Sequence, residues 1–127
     1  MIIMTIAEVV KLTSRNTNDF EIHLGNFLDE FYRSSESTKS NMVKDEPESF
    51  NNISQQTYAF VAGTTEKLCN DSSIVPPRWI FKDEYTLKEP MFAMDAKGTL
   101  RLYLLVESPI EFVVRNVFVT ENCLQRV

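Results

Sequence analysis

Apolar residues recur along this chain in helical stripes separated by polar breaks. The first stripe is Ile6, Val9 and Val10. It follows Thr5-Ile6-Ala7-Glu8, which fits a capping box in which the Thr5 hydroxyl takes the free amide at Glu8 and Glu8 reaches back. Met4 and Val9 stand where a hydrophobic staple belongs, and the pattern predicts a helix over 6–13. The second stripe, Phe20, Leu24, Phe27, Leu28 and Phe31, follows a 3.6-residue period. With Asn18 as its cap and Glu21 three residues on, it predicts a helix over 19–33. Residues 33–52 are polar and read as a loop and as the candidate mobile segment, with one helical turn around Lys39–Lys44 that Pro47 stops. The third stripe, Tyr58, Val61, Ala62, Thr65, Leu68 and Cys69, predicts a helix over 53–70. Gly63 weakens that helix by about 1 kcal/mol relative to alanine, but lets another helix come close.

The pattern then changes. Val75-Pro76-Pro77 fixes an extended entry. Trp79 and Phe81 fall on one side of an extended segment, with Arg78, Ile80 and Lys82 on the other. Pro90 interrupts any helix, and Met91, Phe92 and Met94 add apolar anchors. The expectation is an aromatic-rich arm over about 74–96, with a short strand at most, laid across the helices. Residues 98–108 fit helix through Leu100, Tyr103 and Leu104, or strand through Leu100, Leu102 and Leu104. The abundance of leucine favours helix. Ser108-Pro109-Ile110-Glu111 reads as a second capping box, with serine at N-cap, proline at N1 and glutamate at N3. Phe112 and Val113 then point inward, Glu111 and Arg115 form an i,i+4 pair, and Asn116 stops the helix. The fold class that follows is a mostly-α single-domain helical bundle with the arm packed across it.

Composition changes this picture little. A chain of 127 residues suits one domain, and nine phenylalanines supply a core. Three glycines are too few for a turn-rich sandwich or barrel. The net charge is −5, and no basic run offers the counterion-release footprint of DNA or RNA binding, so no nucleic acid is expected. Cys69 and Cys123 lack CxxC spacing and read as reduced thiols of a cytoplasmic protein. The apolar start has no basic n-region and meets Lys11 and Arg15 too early for a signal peptide or membrane span.

Candidate chemistry is sparse. Making Ser108 a nucleophile requires a base, and His23 is the single histidine. No G-x-S-x-G elbow surrounds the serine, so no catalytic residue is assigned. A lone histidine beside an apolar stripe reads as a boundary residue. It has no second histidine with which to build a zinc site, and no cofactor motif is present. Asp83, Glu84, Glu89, Asp95 and Glu107 read as a solvated acidic face rather than a cation site. Arg78 beside Trp79 offers a stacking or anion contact, or simply covers the edge of a buried ring.

The Trp79-Ile80-Phe81 segment, Leu87 to Phe92, and Ser108-Pro109-x-x-Phe112-x-x-Arg115-Asn116-x-Phe118, with the acidic "FLDEFYR" helix and the closing "LQRV", resemble a family of small, uncharacterised bacterial proteins. The likeness spans residues 20–127. It implies a shared small fold and an association with toxin–antitoxin-like genes, with no activity or site residue attached.

Three functions compete. A non-enzymatic protein-interaction module, antitoxin-like, would set its acidic surface against an unidentified basic partner. A small-ligand binder or enzyme would use a pocket between arm and helices, with Arg78, Trp79, Glu107 and Arg115 at its mouth. A DNA-binding regulator would use the first two helices as a helix-turn-helix, which the charge disfavours. Partner binding leads, and the oligomeric state is not legible.

Overall fold

The computed structural model describes residues 4–93 and 96–125. Met94 and Asp95, named above as an anchor and an acidic candidate, lie outside them, as does the end of the closing "LQRV". Six α-helices and one two-stranded parallel sheet are present among the described residues: α1 (Ile6–Arg15), α2 (Phe20–Arg33), α3 (Glu36–Val43), α4 (Gln55–Asp71), β1 (Met91–Phe92), α5 (Thr99–Glu107), α6 (Ile110–Val113) and β2 (Val117–Phe118). The protein is therefore mostly α, as the stripes predict.

Local rules set the first helices. The Thr5 hydroxyl accepts the Glu8 amide at 3.2 Å, which satisfies one of the orphan donors of the first turn. Ile6, Val9, Val10 and Thr13 turn inward from α1, and Leu24, Phe27, Leu28 and Phe31 from α2. The Thr13 hydroxyl donates to the Val9 carbonyl at 2.7 Å, so a buried polar group stays paired. At the start of α2 the expected Asn18 cap is displaced. Asn16 instead accepts the Asn18 amide and begins a 3-10 turn over Thr17–Asp19 that runs into the helix.

The segment 33–52 is more ordered than its polarity suggests. The Ser35 hydroxyl accepts the Thr38 amide, and α3 occupies two turns where one was expected. Met42, Val43 and Pro47 are buried. The physical reason lies outside the segment: the Trp79 indole N–H donates to the carbonyl of Val43, the last residue of α3, at 3.0 Å. That bond satisfies one of the carbonyls a helix end leaves open.

Helix α4 is central. Ser54 caps it, accepting the Thr57 amide at 3.2 Å, and Ala59, Val61–Thr65, Leu68 and Cys69 are all buried. The expected close approach is made at Gly63, where an added Cβ would lie 2.6 Å from Cδ1 of Phe112 on α6.

The arm lies against α4 but is not extended throughout. Arg78–Phe81 and Asp83–Tyr85 form 3-10 turns. A turn breaks the two-residue alternation, so Trp79 and Ile80 go inward together while Phe81 is 62% exposed. This corrects the shared Trp79–Phe81 face, which holds only for a strand. The short strand does form: Met91 pairs with Val117 and Phe92 with Phe118 in parallel register. The Phe92 and Phe118 rings stack with centroids 4.9 Å apart.

Residues 99–107 are helical. Gly98 leads in at φ 56, a left-handed conformation that suits glycine. The second capping box does not form. Ser108 ends α5 rather than beginning α6, and Pro109 precedes α6 with no side-chain cap. The Ser108 hydroxyl meets the Leu104 and Val119 carbonyls and accepts the Val119 amide at 2.9 Å. A tertiary pairing with the segment after β2 has taken the serine that the local motif assigns to α6. Helix α6 ends at Val113, short of the expected stop at Asn116; turns carry the chain on to Asn116, which reverses at φ 66 and whose side chain donates to the Leu87 carbonyl at 3.1 Å.

Candidate functional site

The four residues placed at a pocket mouth by sequence are not gathered there. Arg78 is exposed and borders a depression with residues of α3. Trp79 is buried, with its indole N–H on Val43. Glu107 is half-buried at the end of α5. Arg115 is 3% exposed and fastens the core. Its guanidinium pairs with the Glu66 carboxylate at 2.6 Å and donates to the backbone carbonyls of Glu111 at 2.7 Å and Ile80 at 2.9 Å.

The predicted Glu111–Arg115 side-chain pair is therefore corrected. Arg115 uses the Glu111 backbone, while the Glu111 carboxylate accepts from Asn70 at 2.9 Å. One arginine joins α4, α6 and the arm, because its planar fork can serve several acceptors at once. Ser108 has no free hydroxyl to offer a substrate, since both its hydrogen and its acceptor side are taken up by backbone.

The cysteines are free thiols. Burial pushes the Cys69 thiol up to about 11, with the nearby Glu66 charge adding to it. Burial likewise takes Cys123 to about 11. Thiols in such surroundings are weak nucleophiles near neutral pH. No group of three or more metal-ligating side chains occurs among the described residues. Of the described helices, none is long and apolar enough to cross a membrane. The outer positions of α2 include Glu21, Asp29, Glu30 and one late Arg33, a poor complement to phosphate.

Two surface features carry chemistry, the first not anticipated by sequence and the second a cleft between arm and helices whose lining contains none of the four expected residues. The first is α5. Only Leu104 is buried, whereas Leu100, Leu102, Tyr103, Leu105 and Val106 are exposed, Leu102 at 63% and Val106 at 79%. Ile110 and Val114 on and beside α6 are exposed too. The local charge is drawn aside: Arg101 donates to the Ala96 carbonyl at 3.3 Å and lies 4.2 Å from the Phe92 ring centroid. The leucine content of this segment was plain in the sequence. Which side the core covers was not.

The second is a cleft of about 390 Å³ between the segment after α3, the start of α4 and the arm. Its walls include Phe50, Ile53, Tyr58 and Tyr85, with the Glu46 and Glu84 carboxylates at its edge. The Tyr58 hydroxyl donates to the Glu48 carbonyl at 2.7 Å and accepts the Phe50 amide at 2.8 Å, which folds this loop over the helix. Glu46 accepts from Tyr85 at 2.7 Å and from Lys82 at 2.6 Å. Burial raises the Glu46 carboxyl, but those two hydrogen bonds, the Lys82 charge and the Glu84 side chain together outweigh it and hold the group below its ordinary value. For Tyr85, burial and then Glu46 push the hydroxyl far upward, so it remains a donor at any physiological pH.

Compared with family models, with curated proteins and with solved structures, the chain matches none. The class its fold defines is a small, mostly-α domain with an arm and an uncovered apolar helix.

Proposed function

We propose that this protein is a non-enzymatic interaction module that docks a protein partner through α5 and the adjoining α6 edge. The observation that supports this reading is the exposure of five apolar side chains on one nine-residue helix. Exposed apolar side chains scattered singly are ordinary, but a contiguous apolar patch is a mark of an interaction surface. Burying Leu102 and Val106 alone would contribute on the order of 3 kcal/mol of transfer free energy. The net charge of −5 favours a partner with a basic rim, which would speed encounter and set orientation. An antitoxin-like role, as implied by the bacterial family the chain resembles, is one instance of such docking.

The test places a photo-crosslinking benzoylphenylalanine at position 106, with the exposed Lys11 position of α1 as control, and irradiates the living host. A single protein adduct from position 106 and none from position 11 is expected. An equal set of adducts from both positions, or none from 106, overturns the reading. The adduct mass separates a second copy of this chain from a different protein. In parallel, Leu102→Glu with Val106→Glu should abolish the adduct from a photo-crosslinker at Leu105 while leaving the melting temperature nearly unchanged.

A further inference from the structure

We infer that the cleft between Glu46, Phe50, Tyr58, Glu84 and Tyr85 is a binding site for an organic cation on an apolar stem, namely a lysine or arginine side chain of a protein partner. The walls and the charge each narrow the ligand. Phe50, Ile53, Tyr58 and Tyr85 give the cleft an apolar, largely aromatic lining. Such a lining suits a methylene chain, and ring faces attract a cation held near them. The edge carries two carboxylates, Glu46 and Glu84, against one ammonium, Lys82. One negative charge is left over, so an anion is disfavoured and a wholly apolar ligand would strip water from a carboxylate without replacing it.

Lys82 itself demonstrates the recognition, because its ammonium already sits on Glu46 at 2.6 Å. That contact does not exhaust the edge. A carboxylate offers about four lone-pair positions, and Glu46 uses one for Lys82 and one for Tyr85. Glu84 is exposed, and its charge acts on both Lys82 and Tyr85. An incoming cation would lie beside these two carboxylates, which are close enough for Glu84 to act on the Glu46 carboxyl. A bare metal ion suits the site less well, since it would need several more oxygen ligands than two carboxylates provide.

The walls are also rigid enough to wait for a ligand. The Tyr85 ring packs on Trp79 with centroids 5.3 Å apart, and both are buried. The Tyr58 ring is held through its hydroxyl on the loop backbone. Preorganised walls lower the entropic cost of binding. This cleft shares no residue with the α5 surface, so either site can fail while the other stands.

The test uses the full chain labelled with ¹⁵N and three probes: N-acetyl-arginine methylamide, N-acetyl-lysine methylamide and N-acetyl-norleucine methylamide. The two cationic probes are expected to move the amide resonances of residues 46–58 and 84–85, and to alter Trp79 fluorescence through the Tyr85 contact. The neutral norleucine probe, with the same stem, should do neither. Glu84→Gln, at an exposed position, should fold normally and weaken the cationic probes about threefold. Raising salt from about 0.05 to 0.5 M should weaken them further, as the screening length shortens. Equal shifts from norleucine, shifts confined to other residues, or no shift from any probe at millimolar concentration would each overturn the assignment.

Discussion

Ser108 carries one hydroxyl, and the chain uses every side of it. It meets the Leu104 carbonyl at the end of α5 and exchanges hydrogen bonds with both backbone groups of Val119. Val119 is buried, so removing the oxygen would strand its amide away from water. Ser108→Ala is therefore expected to cost about 1–3 kcal/mol. Urea denaturation should show a lower midpoint with an unchanged slope; an unshifted midpoint would mean that water replaces the hydroxyl. The Ser-Pro-x-Glu spacing could not reveal this, because a capping motif reports only nearby backbone, and Val119 is eleven residues away. Arg115 teaches the same lesson over a longer span. Its i,i+4 neighbour was legible, whereas its ion-pair partner Glu66 lies 49 positions back along the chain.

Among elements, α1, α2 and α4 were legible through their apolar stripes, but the cap was legible in α1 alone: α2 is preceded by a turn begun at Asn16, and the Ser54 cap of α4 carries no local signal that the stripe needed. Helix α3 was legible only in part. Its residues carry almost no apolar face, and what fixes its end is a tryptophan from the arm. The 3-10 turns at Arg78–Phe81 and Asp83–Tyr85 follow a proline pair and carry no periodic signal of their own. Of the candidate cleft, only its general place between arm and helices was legible; its lining was not, since the walls come from three separate segments. The α4–α6 contact was foreseen at Gly63 and can be tested there. Alanine is the better helix former by about 1 kcal/mol, but its methyl would press on the Phe112 ring, which is fully buried and has little room to retreat. Overpacking of this kind costs about 1–3 kcal/mol. Gly63→Ala should thus be net destabilising by calorimetry, and Phe112→Leu introduced beside it should recover part of the loss. A rise in melting temperature for Gly63→Ala alone would show that α6 shifts freely.

For the molecule as a whole, Glu46 is a long-range tie, joining the segment after α3 to Lys82 and Tyr85 of the arm. Its carboxyl titrates below the ordinary value of 4.5 in the folded state. A depressed acid binds its proton more readily when the chain is unfolded. Its stabilising contribution is therefore complete above about pH 4.5 and is lost as pH falls through the lower folded value. Denaturation followed from pH 6 down to pH 3 should show stability decreasing, and Glu46→Gln should flatten that slope. A wild-type profile identical to the variant's would remove Glu46 from the account.

The single buried residue of α5 has a dynamic consequence. Leu104 contacts a small satellite cluster with Ala96 and Phe118, apart from the main core. The β1–β2 pairing and the Met91 amide on the Asn116 carbonyl, at 2.9 Å, close the excursion that carries this helix. The excursion can open at α5 while α4 remains shut, since local opening free energies follow buried apolar contact. In deuterated water, α5 amides should exchange well before those of α4, making the helix that presents the most grease to solvent also the first to loosen its own backbone.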